Sequence, residues 1–120
     1  MSVAVKKYKN ELIERTILYS KRIVKLVRLL SKNREFWIIC DQLVRSGTSI
    51  GANIVEAQEA TSRKDFGRFI SYALKSADET WYWLELIEVS GDVRVEVEYL
   101  QSETKELSKI LKSIIKKLRQ

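Results

Sequence analysis

Glu56, Glu79 and Arg45 are the residues of this 120-residue chain whose types could do chemistry together. Two carboxylates beside a guanidinium suit general acid–base catalysis, and paired carboxylates also ligate metals. Acid–base work needs a cleft and a substrate held in it, and a carboxylate metal site needs more oxygen ligands than two glutamates give. The surrounding sequence supplies neither. There is no histidine, so the commonest general base and metal ligand is missing, and with it the Glu-x-x-His site of ferritin-like bundles. Cys40 is the only cysteine, which excludes an internal disulfide and fits a reduced, cytoplasmic setting. The residue set predicts no enzyme, no cofactor and no metal.

Arg45, Ser49, Asn53 and Glu56 share one stripe of a helical segment, and Glu79 belongs to its expected antiparallel neighbour. If buried, the five must form a hydrogen-bonded network between helices, because an isolated buried charge is too costly. Their segment, RSGTSIGANIVEAQ (residues 45–58), is a poor helix former. Each of Gly47 and Gly51 costs about 1 kcal/mol against alanine there, and Ser46, Thr48, Ser49 and Asn53 compete for backbone bonds. Close approach of another helix is the expected gain, since Gly47 and Gly51 lie four apart on one face. Trp81, Tyr82 and Trp83 are the bulky side chains expected to fill that space.

The elements that must position these groups are helices. The chain has no proline and four glycines, which permits long uninterrupted helices and argues against an all-β domain. Apolar residues recur at helical period in four segments. The first runs from about Lys9 to Ser31 with the stripe Leu12, Thr16, Ser20, Ile23, Val27 and Leu30. The second runs from Glu35 to Ala60 after Asn33, a candidate N-cap, with Ile39, Leu43, Gly47, Ile50, Ile54 and Ala57 inward. The third begins at a Ser62–Asp65 capping box and runs to about Val89, burying Phe66, Ile70, Ala73, Ala77, Thr80, Leu84 and Ile87. Gly91 suits the left-handed end of that helix and Asp92 the N-cap of the fourth. The fourth keeps Val93, Val97, Leu100, Thr104, Leu107, Leu111, Ile114 and Leu118 at heptad spacing to the C-terminus. Short loops make consecutive helices antiparallel, so residues 1–120 are expected to form one all-α, up-down-up-down four-helix bundle. No apolar run is long enough to span a membrane, and the opening MSVAVKKYKN has no h-region, so neither a membrane partner nor a secretory leader is expected.

Charge is unevenly placed along the chain. Residues 1–34 carry ten Lys/Arg and two acids, residues 35–104 six and thirteen, residues 105–120 six and one. Lys21, Lys25, Arg28 and Lys32 form one stripe, joined by Arg22. Lys105, Lys109, Lys112 and Lys116 form a second, joined by Lys117 and Arg119. If the first and last helices are neighbours, the two stripes could merge into one basic surface for a phosphate backbone. Lysine dominates near the C-terminus, which favours contact without base reading. The competing explanation is an outer face that only solvates, with lysines at the negative end of a helix dipole.

The run LVRSGTSIGANIVEAQEATSRKDFGRFISYALKSADETWYWLELI resembles the bacterial four helix bundle protein family, also called the 23S rRNA-intervening-sequence protein family. Arg45-Ser46, Ser49-Ile50, Asn53-Ile54, Glu56, Ser62…Asp65-Phe66, Ala73-Leu74 and Glu79-Thr80 carry the likeness; the first and last segments agree only in length and pattern. Where the family often has glycine after its central glutamate, this chain has Ala57. The resemblance implies a cytoplasmic bundle assembled as a ring-like homopentamer. It implies kinship with retroelement accessory proteins, basic pentamers that bind nucleic acid and a reverse transcriptase, and it implies no catalysis. Two functions are therefore expected as alternatives. One is a homo-oligomer that binds RNA or DNA with low sequence specificity, with a possible reverse-transcriptase-like or other protein partner. The other is a scaffold that engages a protein partner and no nucleic acid.

Overall fold

The computed structural model describes residues 3–120, with side chains described from residue 10 onward. Four helices follow one another: α1 (Val3–Leu30), α2 (Trp37–Gln58), α3 (Arg63–Glu85) and α4 (Gly91–Leu118), with a 3₁₀ turn at Arg34–Phe36 before α2. They pack as an antiparallel four-helix bundle of 46 × 21 × 20 Å. Cross-helix contacts fix the directions. Thr16 and Ile23 of α1 meet Gly51 and Gly47 of α2. Arg15 and Arg22 of α1 meet Glu103 and Glu96 of α4, and Gln101 of α4 donates to Glu85 of α3 while Arg63 of α3 reaches Leu118 of α4. In each pair the numbers rise on one helix as they fall on the other. Among the described residues no helix is long and apolar enough to cross a membrane.

The helix ends differ from the expected ones in instructive ways. α1 begins at Val3, six residues before the expected start, because the apolar stripe opens only at Leu12 and gives no earlier signal. Asn33 caps with its backbone, its carbonyl accepting from Phe36 N–H at 3.0 Å, and makes no side-chain cap bond. The end of α1 is closed by Trp37 instead, whose indole N–H donates to the Ser31 carbonyl at 2.8 Å. Ser62 caps α3 as expected, its hydroxyl accepting from Asp65 N–H. α3 stops at Glu85 rather than Val89; Leu86 and Ile87 N–H turn back to Trp83 and Leu84. Gly91 has the left-handed φ of +64° that glycine tolerates, but it opens α4 instead of closing α3. Ser90 is the N-cap, and Asp92 sits in the first turn, where its charge favours the positive end of the dipole.

The inward stripes of α2, α3 and α4 hold along most of their length, with Leu43, Ile50, Ile54, Ile70, Leu100 and Leu107 at most 1 % exposed, while Ile39, Val93, Ile114 and Leu118 toward the helix ends are only half-buried. On α1 the stripe is rotated: Tyr19 and Leu26 are buried beside Thr16 and Ile23, while Ile17 is 48 % exposed. Among the described residues the buried polar side-chain atoms are paired, with the exception of Gln58 Oε1, whose amide nitrogen donates to the Ile54 carbonyl. The Tyr19 hydroxyl lies 2.5 Å from Thr104 Oγ1, and Thr104 donates to the Leu100 carbonyl, so Tyr19 is the donor to Thr104. Burial pushes the Tyr19 phenol up from its ordinary value, partly opposed by the Thr104 bond. Burial likewise raises the Cys40 thiol, which makes it an inert core residue.

The sign of the Tyr19 effect follows from linkage. Below about pH 10 folded and unfolded chains both hold the phenolic proton, and the contribution of Tyr19 is complete. Above that pH the unfolded chain releases its proton first, so stability falls as pH rises. Tyr19→Phe is expected to cost about 1 kcal/mol near neutrality and to flatten the alkaline loss. Urea unfolding at pH values on both sides of about pH 10 checks this; an alkaline limb as steep in the variant as in the wild type would contradict it.

Candidate nucleic-acid interface

The small-residue segment of α2 does draw in a neighbour, but the neighbour is α1. A Cβ on Gly47 would stand 2.9 Å from Ile23 Cγ2, and one on Gly51 would stand 2.8 Å from Thr16 Oγ1. Trp81, Tyr82 and Trp83 do not fill this space. Tyr82 is exposed, Trp83 packs edge-on against it, and Trp81 lies toward α4 under Lys105. The α2–α3 contact is made one residue away, where the Thr80 hydroxyl meets Ser46 Oγ at 2.9 Å.

The five polar residues expected as an interhelical network are not buried, so the condition for one is not met. Arg45 is exposed and pairs with Asp41 one turn back at 3.3 Å. Ser49 donates to the Arg45 carbonyl and Asn53 to the Ser49 carbonyl, both within α2. Glu56 and Glu79 are exposed, with no hydrogen-bond or ion-pair partner among the described residues. The stripe is real, but it faces outward, because the apolar Leu43, Ile50 and Ile54 claim the inward side. Among the described residues no three of His, Cys, Asp and Glu gather as metal ligands.

The two basic stripes are exposed, yet they face different neighbours. Lys21, Lys25 and Arg28 border a groove whose other bank is Gly51, Ala52 and Val55 of α2. Lys32 lies past the end of α1, in the turn. Arg22 is taken up by Glu96, with Nε–Oε1 at 2.9 Å and Nη2–Oε2 at 2.6 Å, and its guanidinium stacks 3.6 Å over the Tyr99 ring. Arg15 holds Glu103 in the same bidentate way. These bonds hold both guanidiniums above their ordinary values. The α1–α4 seam is thus closed by paired charges, and the stripes do not merge across it.

The α4 stripe joins α3 instead. Lys105 Nζ lies 5.4 Å from the Trp81 ring centroid, which turns Lys105, Lys109, Lys112 and Lys116 toward the α3 side. Gly67 of α3 faces Leu118, where its missing Cβ would be 3.3 Å from Cδ1. Counting in helical steps from Gly67, Lys64, Ser71 and the acid Asp78 lie along the same border, with Lys75 turned further outward beside them. The result is a face with six exposed lysines: Lys64, Lys75, Lys105, Lys109, Lys112 and Lys116. Only one is engaged by an acid among the described residues, Lys109 with Glu106 at 3.4 Å. Lys117 and Arg119 are exposed at the C-terminal end of α4. Arg63 turns its guanidinium onto the Lys117 and Leu118 carbonyls, closing that helix end. Lys64 and Lys75 escape a helix-by-helix count of charge; their spacing from Gly67 is the signal that could have found them.

The fold and this face define a class: a small four-helix module with an apolar core and its charged groups presented on the surface. The family model for the 23S rRNA-intervening sequence protein matches residues 8–113, and the chain belongs to that family. The chain is also similar to a crystal structure of a protein of unknown function from the S23 ribosomal protein family of Bacteroides thetaiotaomicron. The two share 39% sequence identity over 88% of this chain and 98% of that one, with a TM-score of 0.80. Comparison with curated proteins finds no match.

Proposed function

We propose that the protein is a non-catalytic, homo-oligomeric, cytoplasmic module that binds RNA or DNA with low sequence specificity. The observation that carries this is the α3–α4 face, where six exposed lysines follow two adjacent helices and outnumber its acids, Glu106, which pairs weakly with Lys109, and Asp78. Lysines along a helix attract a phosphate backbone through counterion release and read no bases. Binding of labelled RNA and DNA of mixed sequence at two salt concentrations tests it. Affinity is expected to fall steeply with salt and to vary little with sequence; no binding near physiological salt would contradict it. The scaffold alternative draws on a different observation, the exposed apolar side chains of Ile17, Leu18, Ile38 and Val95.

A further inference from the structure

The groove between α1 and α2 has a chemistry that the α3–α4 face does not explain. It holds about 540 Å³. It exists because Gly51 lets α1 come close while the residues beside the contact, Ser20 and Ala52, are too small to fill the outer seam. Ile17, Val24 and Val55 make its walls apolar, and Lys21, Lys25 and Arg28 make its rim cationic. None of those three cations has an acidic partner among the described residues, and no acid lines the groove. An apolar trough with a basic rim fits an acidic amphipathic helix.

The chain itself carries such a surface. Residues 76–93 contain five acids and no Lys or Arg. On the outer side of α3 and its end, Asp78, Glu79 and Glu85 are exposed around Tyr82 and Leu86, which are 54 % and 43 % exposed. The ridge from Lys75 to Leu86 rises about 16 Å, close to the roughly 18 Å from Thr16 to Arg28. Glu85 accepts from Gln101; Asp78 and Glu79 have no partner among the described residues.

We infer that the α1–α2 groove of one copy receives the acidic ridge of α3 from a second copy. Tyr82 and Leu86 enter the trough, and the carboxylates meet Lys21, Lys25 and Arg28 at its rim. Where each pair of copies forms one groove–ridge contact, the contact is head-to-tail and closes as a ring when the rotation allows. The pairing rests on the self-association named in the proposed function. It covers the α3 bank of the α3–α4 face around Lys75 and Asp78 and leaves Lys109, Lys112 and Lys116 of α4 free.

Charge exchange tests it, read by sedimentation of the full chain. One variant is Lys21→Glu, Lys25→Glu and Arg28→Glu; a second is Asp78→Lys, Glu79→Lys and Glu85→Lys; a third combines all six. Every site is exposed, and circular dichroism checks the fold. The first two are expected to weaken association by about tenfold to a hundredfold, and the third to recover it, because its contacts are again complementary. Ala52→Arg, which fills the trough and keeps the sign of the rim, is expected to dissociate the assembly as well. A monomeric wild type would overturn the pairing together with self-association. An assembled wild type whose first two variants stay assembled would overturn the pairing alone. Loss of RNA binding in the first variant with assembly intact would assign the groove to nucleic acid and overturn it too.

Discussion

Reversing Lys105, Lys109 and Lys112 to glutamate is expected to lower affinity for RNA or DNA by a hundredfold or more. Each lysine that neutralises a phosphate releases about one counterion, and each glutamate in its place adds repulsion as well as removing the gain. The three side chains are exposed on α4, so the bundle has no reason to unfold. The comparison that isolates geometry from net charge is Arg34→Glu, Arg45→Glu and Arg94→Glu. Those arginines are also exposed, but Arg45 belongs to the outward face of α2 and Arg94 is paired with Glu98 at the far end of α4. Their reversal changes net charge equally and is expected to move affinity by only about threefold, through the long-range field alone. Equal losses in the two variants would mean that binding reads total charge and not the α3–α4 face.

The second large effect concerns the α1–α2 contact. Gly47→Ala combined with Gly51→Ala is expected to destabilise the fold by about 2–4 kcal/mol. Each methyl would sit under 3 Å from a side-chain atom of α1. The obstacle at Gly47 is Ile23, fully buried and branched, and the obstacle at Gly51 includes the Cβ of Thr16 at 3.0 Å. Neither side chain is a flexible tip that can swing away. Overpacking of about 1–3 kcal/mol per site exceeds the gain of up to about 1 kcal/mol that alanine brings to a helix interior. A fall in Tm of roughly 10 °C follows for a domain of this size. Calorimetry checks it, and an unchanged or higher Tm would show that the glycines are tolerated helix defects without a packing role.

The helical fold was legible because its signal repeats. Four stripes at period 3.6, no proline and a Ser62 cap leave little room for another architecture. The rotation of α1 was not legible: Tyr19 and Leu26 compete with Ser20 and Val27 for the inward position, and the Tyr19–Thr104 bond that decides it joins residues far apart in sequence. The neighbour of Gly47 and Gly51 was hidden for a similar reason. A glycine pair announces close approach but carries no side chain that names the partner. The basic stripes were readable one helix at a time. Which seam each stripe borders depends on the packing of α4 against both α1 and α3, and that rests on contacts such as Arg22–Glu96 and Lys105–Trp81. The outward turn of Arg45, Asn53 and Glu56 was missed because helical spacing places residues on a stripe without saying which way the stripe faces.

The slope of log affinity against log salt for the wild-type protein on a mixed-sequence DNA duplex tests the central claim most directly. A phosphate backbone lying along four to six lysines of α3 and α4 predicts a slope of about −4 to −5, nearly the same for unrelated sequences. A flat slope, or binding that persists in high salt and depends on sequence, would contradict a lysine face that recognises phosphate.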